Sequence, residues 1–181
     1  MPLTSIPITE IKSKKSIYRL DDWMFVFWYR FVQPELSRIT AGLGETVCRE
    51  VFDEKIGSHT GHAFEECAIQ YMWMALKQKT LPVAFRKIGR WWGNNPKERR
   101  EEEIDIVAFA GENAILGECK WKNALTGEDV LENLIKKAGL FINFTNVHYM
   151  LFSKSGFTDA IKTRAVKQDD ITLINAADMF F

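Results

Sequence analysis

Cysteine is scarce in this sequence. Cys48, Cys67 and Cys119 are the only three in 181 residues, too few and too scattered for a disulfide framework. They read as reduced, buried thiols of a cytoplasmic protein. Met1 to Lys15 holds no apolar stretch, so no signal peptide is expected. The longest apolar run, Trp23 to Tyr29, is far too short to cross a bilayer, and no membrane partner is expected. Neither sign of charge is in excess: 24 Lys+Arg stand against 24 Asp+Glu. Nucleic-acid binders are often basic overall, so composition gives no such hint, although a neutral total is compatible with a local basic patch. Internal repeats and low-complexity segments are absent too. With 46% hydrophobic residues the chain has enough apolar material for a real core, which excludes a disordered protein.

What is present falls into three stretches. Residues 1–17 are polar and read as a tail or linker. Residues 18–58 read as helical: Leu20, Trp23, Met24, Phe27, Trp28 and Phe31 recur at helical spacing. Pro34 interrupts that helix, a second runs over about 45–55, and the Gly57 to Gly61 region reads as a loop. Residues 59–181 form the core unit. Its order is helix (about 62–78), three strands (83–92, 104–109, 114–121), helix (127–140), strand (147–152), helix (158–167) and a last short strand (171–174). Consecutive strands suggest an antiparallel meander, and the later alternation suggests parallel additions with helices on the faces. The expected fold class is α/β with a mixed sheet.

The chemistry concentrates in one hairpin, Ile104 to Lys120. A two-residue loop with glycine first, Gly111-Glu112, suits a type II′ turn. That register sets Ala110 opposite Asn113 and, further out, Asp105 opposite Glu118, with Cβ atoms about 5 Å apart. Two carboxylates that close repel unless a cation lies between them. Alternation puts Glu118 and Lys120 on one face, with Cys119 on the other. Asp105, Glu118 and Lys120 are thus expected to converge. Mg²⁺ (or Mn²⁺) takes one or two carboxylates plus phosphate oxygens. A nearby lysine can position water or stabilise charge on the phosphate. Glu65 falls on the apolar side of the preceding helix with Ile69, Met72 and Leu76 and needs a partner there. A metal shared with Asp105 and Glu118 would provide one.

Other residues admit two readings. His59, His62 and Cys67 could suggest zinc, but their spacing fits no standard site and a fourth ligand is missing. Arg86, Lys87, Arg90, Lys97, Arg99 and Arg100 could contact phosphates of a nucleic acid. Glu98 and Glu101 to Glu103 dilute that patch, so a solvated charged loop is the equal alternative. Trp91, Trp92 and Trp121 could stack on bases, and core packing is the ordinary role for such residues.

A glutamate in a first helix, then Asp, then Glu-x-Lys across a hairpin resembles the PD-(D/E)XK nuclease superfamily. The wider pattern comprises Tyr18 to Pro34, Gly61-x-x-Phe64-Glu65, Ile88-Gly89-Arg90-Trp91-Trp92, Glu103-Ile104-Asp105-Ile106, Gly117-Glu118-Cys119-Lys120-Trp121 and Leu151 to Thr158. It is similar to the nuclease-like domain at the C-terminus of archaeal and bacterial DExx-box P-loop ATPases, over about residues 18–175. The resemblance implies a restriction-endonuclease-like αβββαβ core with a mixed sheet, preceded by a helical segment. It implies a divalent metal and metal-dependent hydrolysis of DNA, of the endonuclease kind, with Glu65, Asp105, Glu118 and Lys120 at the site positions. It also implies a P-loop ATPase partner in cis or trans. The sequence carries no Gly-x-x-x-x-Gly-Lys-Ser/Thr motif, so the expectation is a C-terminal piece or a stand-alone relative. The alternative is a catalytically inactive nuclease-fold module for DNA binding or regulation of an associated ATPase. A homodimer stays open.

Overall fold

The structure, a computed structural model, describes residues 2–5, 7–9, 17–20 and 22–180. Two short strands open it, β1 (Pro2–Ser5) and β2 (Ile17–Leu20), paired antiparallel. Between them, Ile8 donates its N–H to the carbonyl of Arg90 at 3.1 Å and packs with the core. The expected tail over 1–17 is therefore corrected where it is described; residues 1, 6 and 10–16 lie outside the described residues. Isolated apolar residues such as Leu3 and Ile8 have no period for a sequence reading to detect.

The helical segment begins later than expected: Ile17–Leu20 form β2, so Leu20 is paired in a strand and not part of the helical period, and from Trp23 onward the helical expectation holds. Asp22 caps α1 (Trp23–Phe27), accepting from the N–H groups of Met24 and Phe25 at 2.9 and 3.2 Å. Wider turns continue through Trp28–Val32, and Pro34 sits in a tight 3₁₀ turn at Gln33–Glu35. The short α2 (Leu36–Arg38) and α3 (Gly44–Glu50) complete it, and Phe31, Val47 and Val51 form a small separate core.

The helix α4 spans Ile56–Gln78 and so begins earlier than expected. The loop expected around Gly57 and Gly61 is helix instead. Each glycine costs roughly 1 kcal/mol there. His59, on that first stretch, packs edge-on against the rings of Trp23, Phe27 and Phe31, with centroids 5.3, 5.9 and 5.5 Å away. Tertiary packing thus outweighs local propensity. Further along, Phe64, Ala68, Met72 and Ala75 present the buried stripe.

A five-stranded sheet carries the rest: β3 (Lys87–Asn95), β4 (Arg100–Ala110), β5 (Asn113–Lys120), β6 (Asn146–Ser153) and β7 (Ile171–Asn175), in that spatial order. The first three are antiparallel; β6 and β7 add in parallel through α5 (Glu128–Ala138) and α6 (Asp159–Lys167). This is the expected α/β architecture, an αβββαβ order with a mixed sheet behind a helical segment. Strand β3 continues through the turn expected at Gly93. The turn comes after Asn95, whose side chain accepts from the N–H groups of Lys97 and Glu98. Gly111 adopts φ +63° and Ala110 pairs with Asn113, the register expected of the tight turn.

The sheet separates two cores. Ile106, Ala108 and Ile115 face α4 with Phe64, Ala68 and Met72. Ile104, Val107 and Leu116 face α5 and α6 with Leu131, Leu134 and Ile161. Each such fully buried Ile or Leu contributes about 1.5–3 kcal/mol. Ile104 and Val107 share a face although three residues apart, which a regular strand forbids. The cause is a β-bulge: between the pairs Gly89↔Val107 and Trp91↔Ile104, β4 holds one residue more than β3. The extra residue falls at Asp105–Ile106. Among the described residues no helix is long and apolar enough to cross a membrane.

Candidate functional site

The bulge places Asp105 at the point where β4 and β5 part. Their ladder runs from Ala110↔Asn113 to Ile106↔Gly117. Beyond it the Asp105 carboxylate accepts the N–H of Cys119 at 2.8 Å. Gly117 makes room for this junction, since a Cβ there would lie 3.0 Å from the Cβ of Ile106 and 3.4 Å from the Met150 carbonyl.

Asp105 is 7% exposed. Burial, then the charges of Glu118 and Glu65, push its pKa up to about 7, against the Cys119 N–H and Lys120, which lower it. Glu118 lies on the α5 side of the sheet. Its two oxygens are held by two lysines: Lys120 Nζ at 2.6 Å from Oε1 and Lys137 Nζ at 3.5 Å from Oε2. Lys137 also donates to the carbonyl of Glu103 at 2.8 Å. Burial works against the Lys120 ammonium, but Glu118 and Asp105 outweigh it and raise its pKa.

Glu65 comes from α4 on the other side. Arg90 Nε approaches it at 3.3 Å, and His62 Nδ1 lies 3.2 Å from its other oxygen. Burial still dominates and lifts Glu65 to about 7. The four expected residues are therefore gathered at one end of the sheet, with Asp105 influenced by all three others. They do not all sit on one face: Glu118 approaches from the α5 layer, Glu65 from the α4 layer, and Asp105 bridges them at the bulge.

The six basic residues expected to form one patch are dispersed. Arg86 and Lys87 stand at the start of β3, beside the far end of β4. Lys97, Arg99 and Arg100 stand past its other end, about 26 Å along the strand at roughly 3.3 Å per residue. Arg90 is an internal counter-ion of Glu65 and Glu103, and Arg100 pairs with Glu98 and Glu102. The zinc set does not come together either: His59 lies in its aromatic cage, His62 meets Glu65, and Cys67 packs against the α4 core. Among the described residues, no group of three or more His, Cys, Asp or Glu side chains is close enough as placed to hold a metal. Trp91 packs on Phe141 as a core residue, whereas Trp121 is 36% exposed, against Phe64 and under the Lys154 ammonium.

Sequence reasoning missed Lys137. In the last turn of α5, after Lys136, it looks like an ordinary dipole-compensating lysine, and only the fold brings it to Glu118. A cleft of about 990 Å³ opens beside these residues, between the β3–β4 turn, the end of β5 and α5 from Asp129 onward.

The site has relatives. A family described as archaeal and bacterial proteins of unknown function, DUF234, matches residues 28–136, more than half of the chain. The chain belongs to the DUF234 family. The matched span contains Glu65, Asp105, Glu118 and Lys120, and it reaches Lys136 in α5. The chain is also similar to an uncharacterized protein of Methanocaldococcus jannaschii, 36% identical over 120 residues, which is 65% of this chain and 25% of that protein. It thus spans about a quarter of that relative's length. A crystal structure of a protein of unknown function matches with a TM-score of 0.37 and 19% identity, over 62% of this chain and 57% of the other.

Proposed function

We propose that this domain is a metal-dependent phosphodiesterase of the PD-(D/E)XK kind that cleaves DNA, most simply as an endonuclease. The observation that carries the reading is the pair Asp105 and Glu118 at a strand junction, with Lys120 2.6 Å from Glu118 and Asp105 raised to about 7 by burial and neighbouring carboxylates. Burial is the largest cause of that elevation and the neighbouring carboxylates come next, so an ionised Asp105 would be favoured by a cation beside it, and hard oxygen donors suit Mg²⁺ or Mn²⁺. Asp105 and Glu118 are the proposed ligands, with Glu65 a third carboxylate beside them. Two protein carboxylates suffice for Mg²⁺, which usually keeps several waters and takes substrate oxygens as well. A divalent ion held there would polarise a phosphate and acidify a bound water.

The chain's own residues supply the remainder. The Cys119 N–H orients Asp105. Lys120 provides a positive charge beside Glu118, suited to a phosphate oxygen or an attacking water. Lys137 holds the second oxygen of Glu118 and keeps that carboxylate oriented. Burial around Asp105 and Glu65 strengthens each of these interactions. The P-loop ATPase partner, in cis or trans, and a cytoplasmic setting belong to the same proposal.

A second reading has its own support. Arg90, Lys120 and Lys137 already meet Glu65 and Glu118 in ion pairs, as in a site that has turned into a structural network. On that reading the domain binds DNA or regulates an associated ATPase without cutting. A cleavage assay with Mg²⁺ or Mn²⁺ on plasmid, single-stranded and branched DNA separates the two, combined with calorimetric titration of Mn²⁺. Asp105→Asn should lose both metal binding and cleavage. Lys120→Ala should lose cleavage and keep metal binding. A wild-type protein that neither binds metal nor nicks any DNA form would leave the non-catalytic reading as the better account.

A further inference from the structure

The cleft beside Glu118 shapes what can reach it. One wall is the β3–β4 turn from Asn95 to Glu102; the other is α5 from Asp129 to Leu140; Glu118, Lys120 and Lys122 line it from the end of β5. The turn is braced by the Asn95 side chain, which accepts two backbone N–H groups. Glu118 is recessed, its side chain 12% exposed, while Lys120 beside it is 32% exposed. Three further lysines, Lys97, Lys122 and Lys136, line the cleft, are exposed and make no ion pair among the described residues. Arg100 pairs with both Glu98 and Glu102 and offsets one of their two charges, while Glu101 and Asp129 also oppose the lysines, so anion binding is confined to discrete seats.

From this we infer that the cleft receives a single DNA strand, with Lys122 and Lys136 seating phosphates on either side of the one that reaches Lys120. The inference rests on the reading of Asp105, Glu118 and Lys120 as the reacting centre. A volume of about 990 Å³ is at the top of the roughly 300–1,000 Å³ range of ligand clefts. It is ample for a few nucleotides and too small for a turn of duplex. A phosphate must descend between two walls to approach Glu118. A flexible strand can do so, whereas paired DNA holds its phosphates on a stiff, broad cylinder. Free ammonium groups tracking a backbone are the electrostatic half of single-strand recognition.

Fluorescence anisotropy with a labelled oligothymidylate and a duplex of equal length, in EDTA so that no cutting occurs, tests this. The single strand should bind more tightly. The double variant Lys122→Glu/Lys136→Glu should reduce the slope of log K against log salt by about 1.4, at about 0.7 per lost phosphate contact. Lys122→Arg/Lys136→Arg should keep the wild-type slope, and the thermal midpoints of all three proteins should agree. Equal or tighter duplex binding, or an unchanged slope in the charge-reversed variant, overturns the inference. Repeating the incubation with Mn²⁺ separates its failure from that of the catalytic reading. A strand bound through these lysines but never cut leaves the cleft assignment standing without the nuclease. Cutting that ignores both lysines does the reverse.

Discussion

Replacing Asp105 by asparagine should make the metal-free protein more stable at neutral pH and nearly abolish one component of its pH dependence. Asp105 is buried and titrates near 7, against 3.8 for an unperturbed aspartate. The folded state therefore holds a proton that the unfolded chain has released between those two values. Stability must then fall as pH rises from about 4 to about 7, by up to about 1.4 kcal/mol per pH unit for one group. Between pH 5 and pH 7 this amounts to about 2.3 kcal/mol, because the slope halves as the pH reaches the folded-state value. For a chain of this length 1 kcal/mol moves the midpoint by roughly 2–4 °C, so the contribution is roughly 5–10 °C. Asparagine keeps an acceptor for the Cys119 N–H, removes the ionisable group, and leaves Glu118, Glu65 and Lys120 in place. Thermal unfolding in EDTA at pH 5, 6, 7 and 8 gives the comparison. The variant should gain on wild type steadily up to pH 7 and then run parallel to it. Added Mn²⁺ at pH 7.5 should reverse the order, because a cation on ionised Asp105 stabilises only the wild type. A variant less stable than wild type at pH 8 without metal would falsify the account of Asp105 as an under-compensated charge.

Three other outcomes follow from packing and backbone. Gly117→Ala forces a Cβ to within 3.0 Å of the Ile106 Cβ and should cost about 1–3 kcal/mol, read from urea unfolding; an unchanged midpoint would mean that the junction is loosely packed. Arg99 sits at φ +53° in the β3–β4 turn, a conformation that glycine adopts freely, so Arg99→Gly should stabilise by about 0.5–1 kcal/mol after the flexibility added to the unfolded chain. The two cores on either side of the sheet need no metal to form, so EDTA should leave the thermal midpoint of purified protein within a degree or two. Collapse on chelation would point to a structural ion.

The hairpin from Ile104 to Lys120 was legible because its information is local. Gly111 dictates the turn, the turn dictates the register, and period-two alternation does the rest. The elements from β4 onward were visible for the same reason. The bulge at Asp105 was not, because an extra residue in one strand leaves no mark in composition or period. Its effect is to spread the site across two layers of the sandwich. The first turn of α4 was hidden behind Gly57 and Gly61; what packs against it is an aromatic cage, Trp23, Phe27 and Phe31, from the preceding helical segment. Glu65 was recognisable as a carboxylate in need of a partner, yet its partner Arg90 reads in the sequence only as one of six basic residues suited equally to phosphate contacts or to a solvated charged loop. Lys137 needed the docking of α5 before its position meant anything.

The strand bearing Arg90 is also the outer edge of the sheet. An exposed edge offers unpaired N–H and C=O groups to any other extended chain. Here the edge is interrupted by the bulge opposite Arg90 and covered there by Pro7 to Thr9, with Ile8 bonded to the Arg90 carbonyl and its side chain 3.2 Å from where a Gly89 Cβ would sit. The first residues thus act as a guard against strand addition between molecules. A protein lacking residues 1–9 should remain folded and yet self-associate through β3, seen as a concentration-dependent rise in light scattering. Solubility and site geometry are therefore coupled through a single strand.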